Sequence, residues 1–328
     1  MKQLICLFSL ILLLLSCSVG SYTVATEIND EIDPTIRSNI NKTSLSIMNA
    51  IRDQNYEDLR DNLSPNLLTL EKFDIKSFAD QFSAFLTNNT FSIKDQYYSR
   101  LIEGKEDSIV TVIGSSDEDK FIINNLQFYD KESYNIFFTS KNPGPQYLLF
   151  MSFSKYNDEW KANILQLGNY SLIGETAPIL YKRSKNLFEQ GHITSSALLN
   201  IALNNILRPA SFLQYRHETE YKDFIEATSN EINKIYNFPI KLGNIEIIGL
   251  DIHFVSADGI MPVILYLTDT EFNEDLLKNE INVNKNMILQ TFPYIDQDFN
   301  YAFMRAYNEM PIDKNKSYEI YTTALELK

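Results

Sequence analysis

Side chains with distinctive chemistry are scarce in this sequence: its 328 residues include two cysteines, three histidines and one tryptophan. So few cysteines exclude the small secreted scaffolds that depend on several disulfides. The sequence also lacks the Gly-x-Ser-x-Gly nucleophile elbow, the Walker phosphate loop and the His-Glu-x-x-His zinc motif. We therefore expect none of the enzyme families that these motifs define.

Positive charge is also in short supply, with 29 Lys and Arg residues against 43 Asp and Glu and a formal net charge of −14. Proteins bind nucleic-acid backbones through clustered Lys and Arg, so we expect no nucleic acid as a partner. A hydrophobic content of 44% beside 22% charged residues is typical of a folded chain. At roughly 150 residues per domain, the length suggests two domains.

The N-terminus carries an apolar segment that is too short to cross a membrane. Lys2 precedes an apolar run from Leu4 to Leu15, whereas a spanning helix needs about 20 residues. The run and its positive flank fit a secretory signal, whose apolar region is about 7–15 residues long. It ends in Leu14-Leu15-Ser16-Cys17, which resembles the lipobox of bacterial lipoproteins. An ordinary signal peptide that contains a cysteine is the alternative.

The lipoprotein resemblance has consequences for the whole chain. It implies that residues 1–16 are removed as a signal peptide and that Cys17 becomes an N-terminus acylated with fatty acids such as palmitate. Acyl chains contribute about 0.8 kcal/mol per buried CH₂, so the membrane is the first expected partner. Residues 17–35 are polar and aperiodic, and we expect a tether there. Ser18 stands where an aspartate would retain a lipoprotein at the inner membrane, which favours the outer membrane, facing the periplasm.

Residues 36–173 change from a helical period to a strand period. Apolar residues recur at helical spacing in Ile36–Gln54 and again in Ile75–Leu86. Helices followed by an antiparallel meander predict an α+β unit with its helices on one face of the sheet. The predicted strands are Ser92–Leu101, Ser108–Ile113, Lys120–Tyr129, Ser133–Thr139, Gln146–Ser154 and Glu159–Leu167.

Two short sequences in this region carry a second resemblance. Asn55-Tyr56-x-x-Leu59 follows the first helix, and Trp160-Lys161-Ala162 lies in a late strand. Together with the order of elements, they resemble NTF2-like domains, which implies a curved sheet that wraps around a helix and leaves a pocket. The aromatic residues of the sheet would either line that pocket or fill the core, which we favour; they are Tyr97, Tyr98, Phe128, Tyr129, Phe137, Phe138 and Tyr147.

Residues 174–209 predict a helical hairpin with its turn at Gly191 and His192. The spacing of its small and aromatic residues resembles a single tetratricopeptide unit; these residues are Tyr181, Ser184, Phe188, Ala197, Ile201 and Pro209. One repeat cannot bury a solenoid core, which needs about three. We therefore interpret this segment as a hairpin that joins two domains.

Residues 210–328 predict a second α+β domain, in which the order helix–strand–strand occurs twice. The helices are Glu220–Tyr236 and Glu271–Thr291, and Asp269 and Thr270 are candidate caps for the second helix. The strands are Ile245–Val255, Pro262–Leu267, Phe299–Tyr307 and Tyr318–Leu327.

The three histidines do not form an obvious site. We expect His192, in the hairpin turn, and His217, in a polar junction, to face solvent. Asp251 and His253 alternate onto one face of a strand and are weak candidates for metal ligands. The opposite face is apolar, so this pair is expected to face solvent, and no third ligand is identifiable. No catalytic residue and no cofactor is predicted, and the ligand-binding residues stay unassigned.

These patterns favour binding over catalysis. The expected function is a lipid-anchored cell-envelope protein with a non-enzymatic binding or assembly role at the membrane surface. Its partner would be an envelope protein or a small apolar ligand. Two alternatives remain open: a small-molecule carrier, or an enzyme that uses an NTF2-like cavity and needs titratable groups converging inside it.

Overall fold

The computed structural model describes residues 23–70, 73–103, 109–113, 121–127, 131–141, 144–255, 259–313 and 315–328. Within these ranges the chain has the α+β fold that the sequence predicts: helices on a curved antiparallel sheet, then a helical hairpin, then a second α+β unit. The predicted signal peptide, Cys17, Phe128 and Tyr129 lie outside the described residues.

Four helices follow a first short strand, and the two long ones confirm the predicted helices. Asp33 caps the N-terminus of the first helix: its Oδ1 accepts hydrogen bonds from the amides of Thr35, at 2.8 Å, and Ile36, at 3.2 Å. Asp74 caps the last helix in the same way. The elements are β1 (Thr23–Ile28), α1 (Pro34–Arg52), α2 (Tyr56–Asn62), α3 (Pro65–Leu68) and α4 (Ile75–Asn88).

The main sheet contains six strands in the order β1-β2-β5-β6-β7-β8, and all neighbours in it are antiparallel. The strands that follow α4 are β2 (Phe91–Glu103), β3 (Ile109–Ile113), β4 (Phe121–Gln127), β5 (Glu132–Ser140), β6 (Gln146–Tyr156), β7 (Glu159–Leu172) and β8 (Glu175–Thr176). Each of the six predicted strands of this region is present.

Two predictions for this region are wrong. The tether prediction fails from Thr23 onward, because β1 pairs with β2 and places Ile28 opposite Tyr97. The strands also do not form one meander: β3 and β4 leave the main sheet and pair with β9 (Leu213–Tyr215) in a separate three-stranded sheet. An alternating pattern identifies a strand but not its partner, because backbone groups can bond to any neighbouring strand.

Both faces of the centre of the main sheet are buried. On one face, Tyr134, Met151 and Phe153 belong to the hydrophobic core beneath α1, α2 and α4. On the other face, Phe137 and Phe150 belong to a core that the sheet shares with the hairpin. Successive side chains of a strand point to opposite faces, so the main sheet forms a middle layer between the N-terminal helices and the hairpin.

The predicted hairpin is confirmed as α5 (Ala177–Glu189) and α6 (Ile193–Ile206). Gly191 makes its turn with a φ of +84°, a conformation that favours glycine. The end of the hairpin lies directly on the main sheet. A Cβ atom on Gly168 of β7 would lie 2.0 Å from the Pro209 carbonyl oxygen, so this contact requires glycine.

The second α+β unit contains a five-stranded sheet in the order β10-β11-β12-β13-β14. Strands β12 and β13 are parallel and are joined through helix α8, while the other neighbours are antiparallel. The bounds are α7 (Glu218–Ile235), β10 (Ile240–Leu242), β11 (Ile245–Val255), β12 (Gly259–Leu267), α8 (Glu274–Thr291), α9 (Ile295–Asp298), β13 (Tyr301–Tyr307) and β14 (Ile320–Glu326).

The predicted helices and strands of this unit are present, but the predicted cap of α8 is wrong. Asn273, and not Asp269 or Thr270, caps the helix: its side chain accepts hydrogen bonds from the amides of Asp275 and Leu276. Thr270 bonds instead to the side chain of Glu280. The sequence prediction took the first residues after the strand that commonly cap helices, Asp269 and Thr270. In the structure the loop continues for three residues beyond Thr270, and the helix begins after Asn273.

One hydrophobic core connects the hairpin to both large sheets. It includes Phe150 of the main sheet, Leu199 and Leu203 of α6, and Ile264 of β12. This core contains residues from both sides of each predicted domain boundary, after residue 173 and after residue 209. The two boundaries stay predictions. Among the described helices, none is long and apolar enough to cross a membrane.

Candidate ligand-binding cleft

A cleft of about 480 Å³ lies where helices α6 and α7 meet strand β11, and we call it the α6–α7 cleft. Its volume is within the range of about 300–1,000 Å³ that is usual for small-molecule sites. Its lining comes from three elements and one loop: Ala197, Leu198, Asn200, Ile201, Asn204, Asn205, Ile225, Thr228, Ser229, Ile232, Phe238, Gly249 and Leu250.

Helix α6 forms one wall of the cleft and is unusual in composition. None of its fourteen residues is charged, because it is packed between α5 on one side and α7 and the second sheet on the other. Leu198, Leu199 and Leu203 are fully buried. Its three asparagines all line the cleft. The other polar residues of the helix, Thr194, Ser195 and Ser196, are buried away from the cleft.

The side chain of Asn200 is only 4% exposed and has one bonded and one unbonded end. Its Oδ1 lies 2.8 Å from the hydroxyl of Ser184, a donor that also lies 2.9 Å from the Ser196 carbonyl oxygen. Its Nδ2 has no hydrogen-bond partner. The Oγ1 of Thr228, which is fully buried on the facing helix, likewise has none.

Unbonded polar groups of this kind are costly. Leaving a buried donor unsatisfied costs about 1–3 kcal/mol, and natural structures contain few such groups. The α6–α7 cleft has two of them in one lining, beside apolar side chains. The described residues that line the cleft include no Lys, Arg, His, Asp or Glu. The arrangement can therefore hold an uncharged ligand that supplies hydrogen bonds to the buried groups.

The prediction that His192 faces solvent is wrong. Its side chain is 15% exposed, and its Nδ1 lies 2.9 Å from the carboxylate of Asp298. The ring also stacks on Tyr294, with centroids 4.4 Å apart and planes nearly parallel. The sequence could not reveal this contact, because the short helix α9 brings Asp298 to the hairpin turn from more than a hundred positions away. The contact ties the hairpin to the second unit.

The prediction for His217 is confirmed, since its side chain is 64% exposed. His253 is also exposed and lies edge-on to Phe303, whereas Asp251 lies 4.0 Å from the guanidinium of Arg305. Across the described ranges, no three His, Cys, Asp or Glu side chains are grouped in a way that could hold a metal ion. Asp251 and His253 are therefore not joined by a third ligand.

Aromatic rings fill the centre of the space between the N-terminal helices and the main sheet, and a cleft of about 280 Å³ remains beside them between α4 and β7. Tyr98, Tyr134 and Trp160 contact one another with centroids 6.3 Å apart. Tyr134 and Phe153 are fully buried, and burial raises the pKa of the Tyr134 hydroxyl above its usual value. Among the described aromatic residues predicted to line a pocket or fill the core, Tyr97, Tyr98, Phe137 and Phe138 are buried in the core, whereas Tyr147 is partly exposed and borders the cleft beside α4.

Two buried carboxylates have partners that explain them structurally. Glu280 of α8 accepts hydrogen bonds from the hydroxyls of Thr268, at 2.8 Å, and Thr270, at 2.6 Å. Glu218, at the start of α7, accepts a bond of 2.7 Å from Arg208. These bonds tie loops to helices.

The chain matches no protein-family model, and a comparison with curated proteins finds no significant similarity in sequence. Sequence reasoning also missed the α6–α7 cleft. Its one available signal was the presence of Asn200, Asn204 and Asn205 in a helix without charged residues. The geometry of the cleft therefore carries the functional argument.

Proposed function

We propose that this chain is a lipid-anchored protein of the bacterial cell envelope that binds a small apolar ligand without catalysing a reaction. The α6–α7 cleft carries the proposal, because it combines a ligand-sized volume, apolar walls and two buried polar groups without partners. Pockets of this composition are the usual form of small-molecule sites. An envelope protein is a second proposed partner.

The residues from Leu14 to Cys17 support the anchor, and Ser18 supports a location at the outer membrane, facing the periplasm. Acyl chains on Cys17 would hold the protein at the membrane and leave the polypeptide outside the bilayer. A cleft close to a lipid surface would meet apolar compounds at high local concentration.

Packing argues against the enzyme alternative. A catalytic pocket in the NTF2-like position would need titratable groups converging within it, whereas Tyr98, Tyr134 and Phe153 occupy that position. The carrier alternative agrees with the proposal, because the α6–α7 cleft is lined mainly by apolar side chains.

Metabolic labelling with a fatty acid tests the anchor. We expect the wild-type chain to be labelled and the Cys17→Ala variant to remain unlabelled, because Cys17 is the proposed acceptor. The Cys6→Ala variant is the matched control and should be labelled like the wild type, since Cys6 lies in the proposed signal peptide. Equal labelling of all three chains would overturn the anchor.

Compounds that co-purify with the protein test the binding role. Ser229→Trp places a large ring at the cleft, whereas Asn230→Trp places it on the next exposed position of α7, which does not line the cleft. We expect solvent extracts of the wild type and Asn230→Trp to contain an apolar compound that mass spectrometry finds several-fold depleted in Ser229→Trp. The same compounds in equal amounts from all three proteins, or none from any, would overturn the proposal.

A further inference from the structure

The polar groups of the α6–α7 cleft are arranged by depth. Asn204 and Asn205 are exposed, whereas Asn200, one helical turn earlier on the same face of α6 as Asn204, is almost completely buried. The aliphatic part of the lining includes Ile225 and Leu250 from the facing elements, which are partly buried. A ligand that fits this lining has a polar group near Asn204 and Asn205, a hydrogen-bonding group at Asn200 and an apolar chain along the aliphatic side chains.

The buried group of the cleft determines which kind of hydrogen bond the ligand must supply. Asn200 Nδ2 is a donor without a partner, while Oδ1 of the same amide is already bonded to Ser184. A donor is satisfied by an acceptor, and a carbonyl oxygen is a strong acceptor that carries no proton. An ether oxygen at the same place would be a weaker match.

The charge of the ligand follows from the rest of the lining. The described residues of the cleft include no cation that could balance a carboxylate. Placing an ionised group in apolar surroundings without a counter-charge is strongly unfavourable. A free fatty acid anion is therefore a poor ligand, although its chain matches the walls.

We infer that the α6–α7 cleft selects uncharged acyl esters, with the ester carbonyl bonded to Asn200 Nδ2 and the acyl chain between α6, α7 and β11. This inference rests on the proposed binding function and specifies its ligand class. It also explains why a donor that destabilises the empty protein lies beside the apolar side chains of the cleft.

Three matched ligands test the inference on the chain from residue 17 with Cys17→Ser, which contains every described residue. They are 1-decanoylglycerol, 1-O-decylglycerol, which has an ether in place of the ester, and decanoate, which is charged. We expect calorimetry to show the ester binding about five- to tenfold more tightly than the ether, the effect of one hydrogen bond. Decanoate at neutral pH should bind more weakly than the ester.

Variants assign the preference to Asn200. In Asn200→Leu we expect the ester and the ether to bind equally, with a melting temperature equal to or above that of the wild type, because an unsatisfied donor is removed. Asn204→Leu, on the same face but exposed, should keep the preference for the ester. A preference that persists in Asn200→Leu would overturn the assignment.

The wild-type protein alone also decides the inference, whatever happens to the stability of the variants. Equal affinities for the ester and the ether, or tighter binding of decanoate, would overturn the ligand class while leaving the binding function in place. If none of the three ligands binds, or if Ser229→Trp binds them as well as Asn230→Trp does, the proposed function fails as well.

Discussion

Two of the places where helices pack on a sheet are built in opposite ways. Between α1 and the centre of the main sheet, side chains such as Ile47, Tyr134 and Phe153 are fully buried and fill the space. Between α6, α7 and β11, a volume of about 480 Å³ is left open, and Asn200 and Thr228 keep polar atoms without partners.

This difference shows where the chain departs from the rules of stable packing. Protein interiors are normally packed like organic crystals, and buried polar groups are normally bonded. The N-terminal layer also holds buried polar atoms without partners, among them the hydroxyls of Ser44 and Tyr134. The α6–α7 cleft differs because it combines such atoms with an open volume. Local conflicts of this kind are expected at functional sites, so the contrast favours the cleft as the site of binding.

Replacing one isoleucine by alanine in each of the two regions should give the largest difference in stability. Ile47→Ala removes a fully buried side chain from the filled layer, and we expect it to lower the free energy of unfolding by about 2–5 kcal/mol. Ile201→Ala truncates a partly buried side chain that already borders the cleft, and we expect a loss of about 1 kcal/mol. Urea unfolding measures both; equal losses would contradict the difference in packing.

Alkaline pH should destabilise the filled layer through its tyrosines. Burial, with a contribution from Glu132, raises the pKa of Tyr98 to about 12, above the usual value of about 10. The folded protein therefore holds this proton more tightly than the unfolded chain does. The resulting stability is fully present below about pH 10 and is lost as the pH rises through about 12.

We expect Tyr98→Phe to reduce this alkaline loss of stability by on the order of 1–2 kcal/mol, because the residue that titrates is removed. Tyr301→Phe, at a site that is 42% exposed, is the matched control for the loss of a tyrosine hydroxyl. Urea unfolding at a series of alkaline pH values measures the effect. If the two variants behave alike, Tyr98 is not the source.

Two threonine-to-valine substitutions should have opposite signs. Thr194 Oγ1 lies 2.7 Å from the buried hydroxyl of Tyr236, so Thr194→Val leaves that hydroxyl without this bond and should cost about 1–3 kcal/mol. Thr228→Val removes a hydroxyl that has no partner and should increase stability by about 0.5–1 kcal/mol. Thermal unfolding gives both signs; a loss in Thr228→Val would show that its hydroxyl is satisfied in solution.

Much of the fold could be predicted because its long elements repeat their apolar residues at a clear period. The helices α1 and α4, the hairpin and the strands β11 and β12 were predicted close to their observed limits. Most elements that were missed are short: β9 and β10 have three residues each, too few to show a period of two, and α2 has seven. The pairing of β1 was missed because its six residues mix polar and apolar side chains without a clear alternation.

The candidate site was much less predictable than the fold. The lining of the α6–α7 cleft comes from three separate elements between residues 197 and 250, and none of them carries a catalytic or metal-binding motif. Asn200 alone could equally have been a satisfied core residue. Only the structure shows that Ser184 bonds to one end of its amide and that the other end has no partner.

Strand β9, three residues long, has a consequence for the newly made chain. It completes the sheet of β3 and β4, with Phe121 paired to Tyr215. Because synthesis starts at the N-terminus, the outer edge of β4 has no partner until β9 has emerged from the ribosome. An open strand edge is a template for pairing with other chains. Nascent chains that end just before Leu213 should therefore be the most prone to aggregate and the most dependent on chaperones.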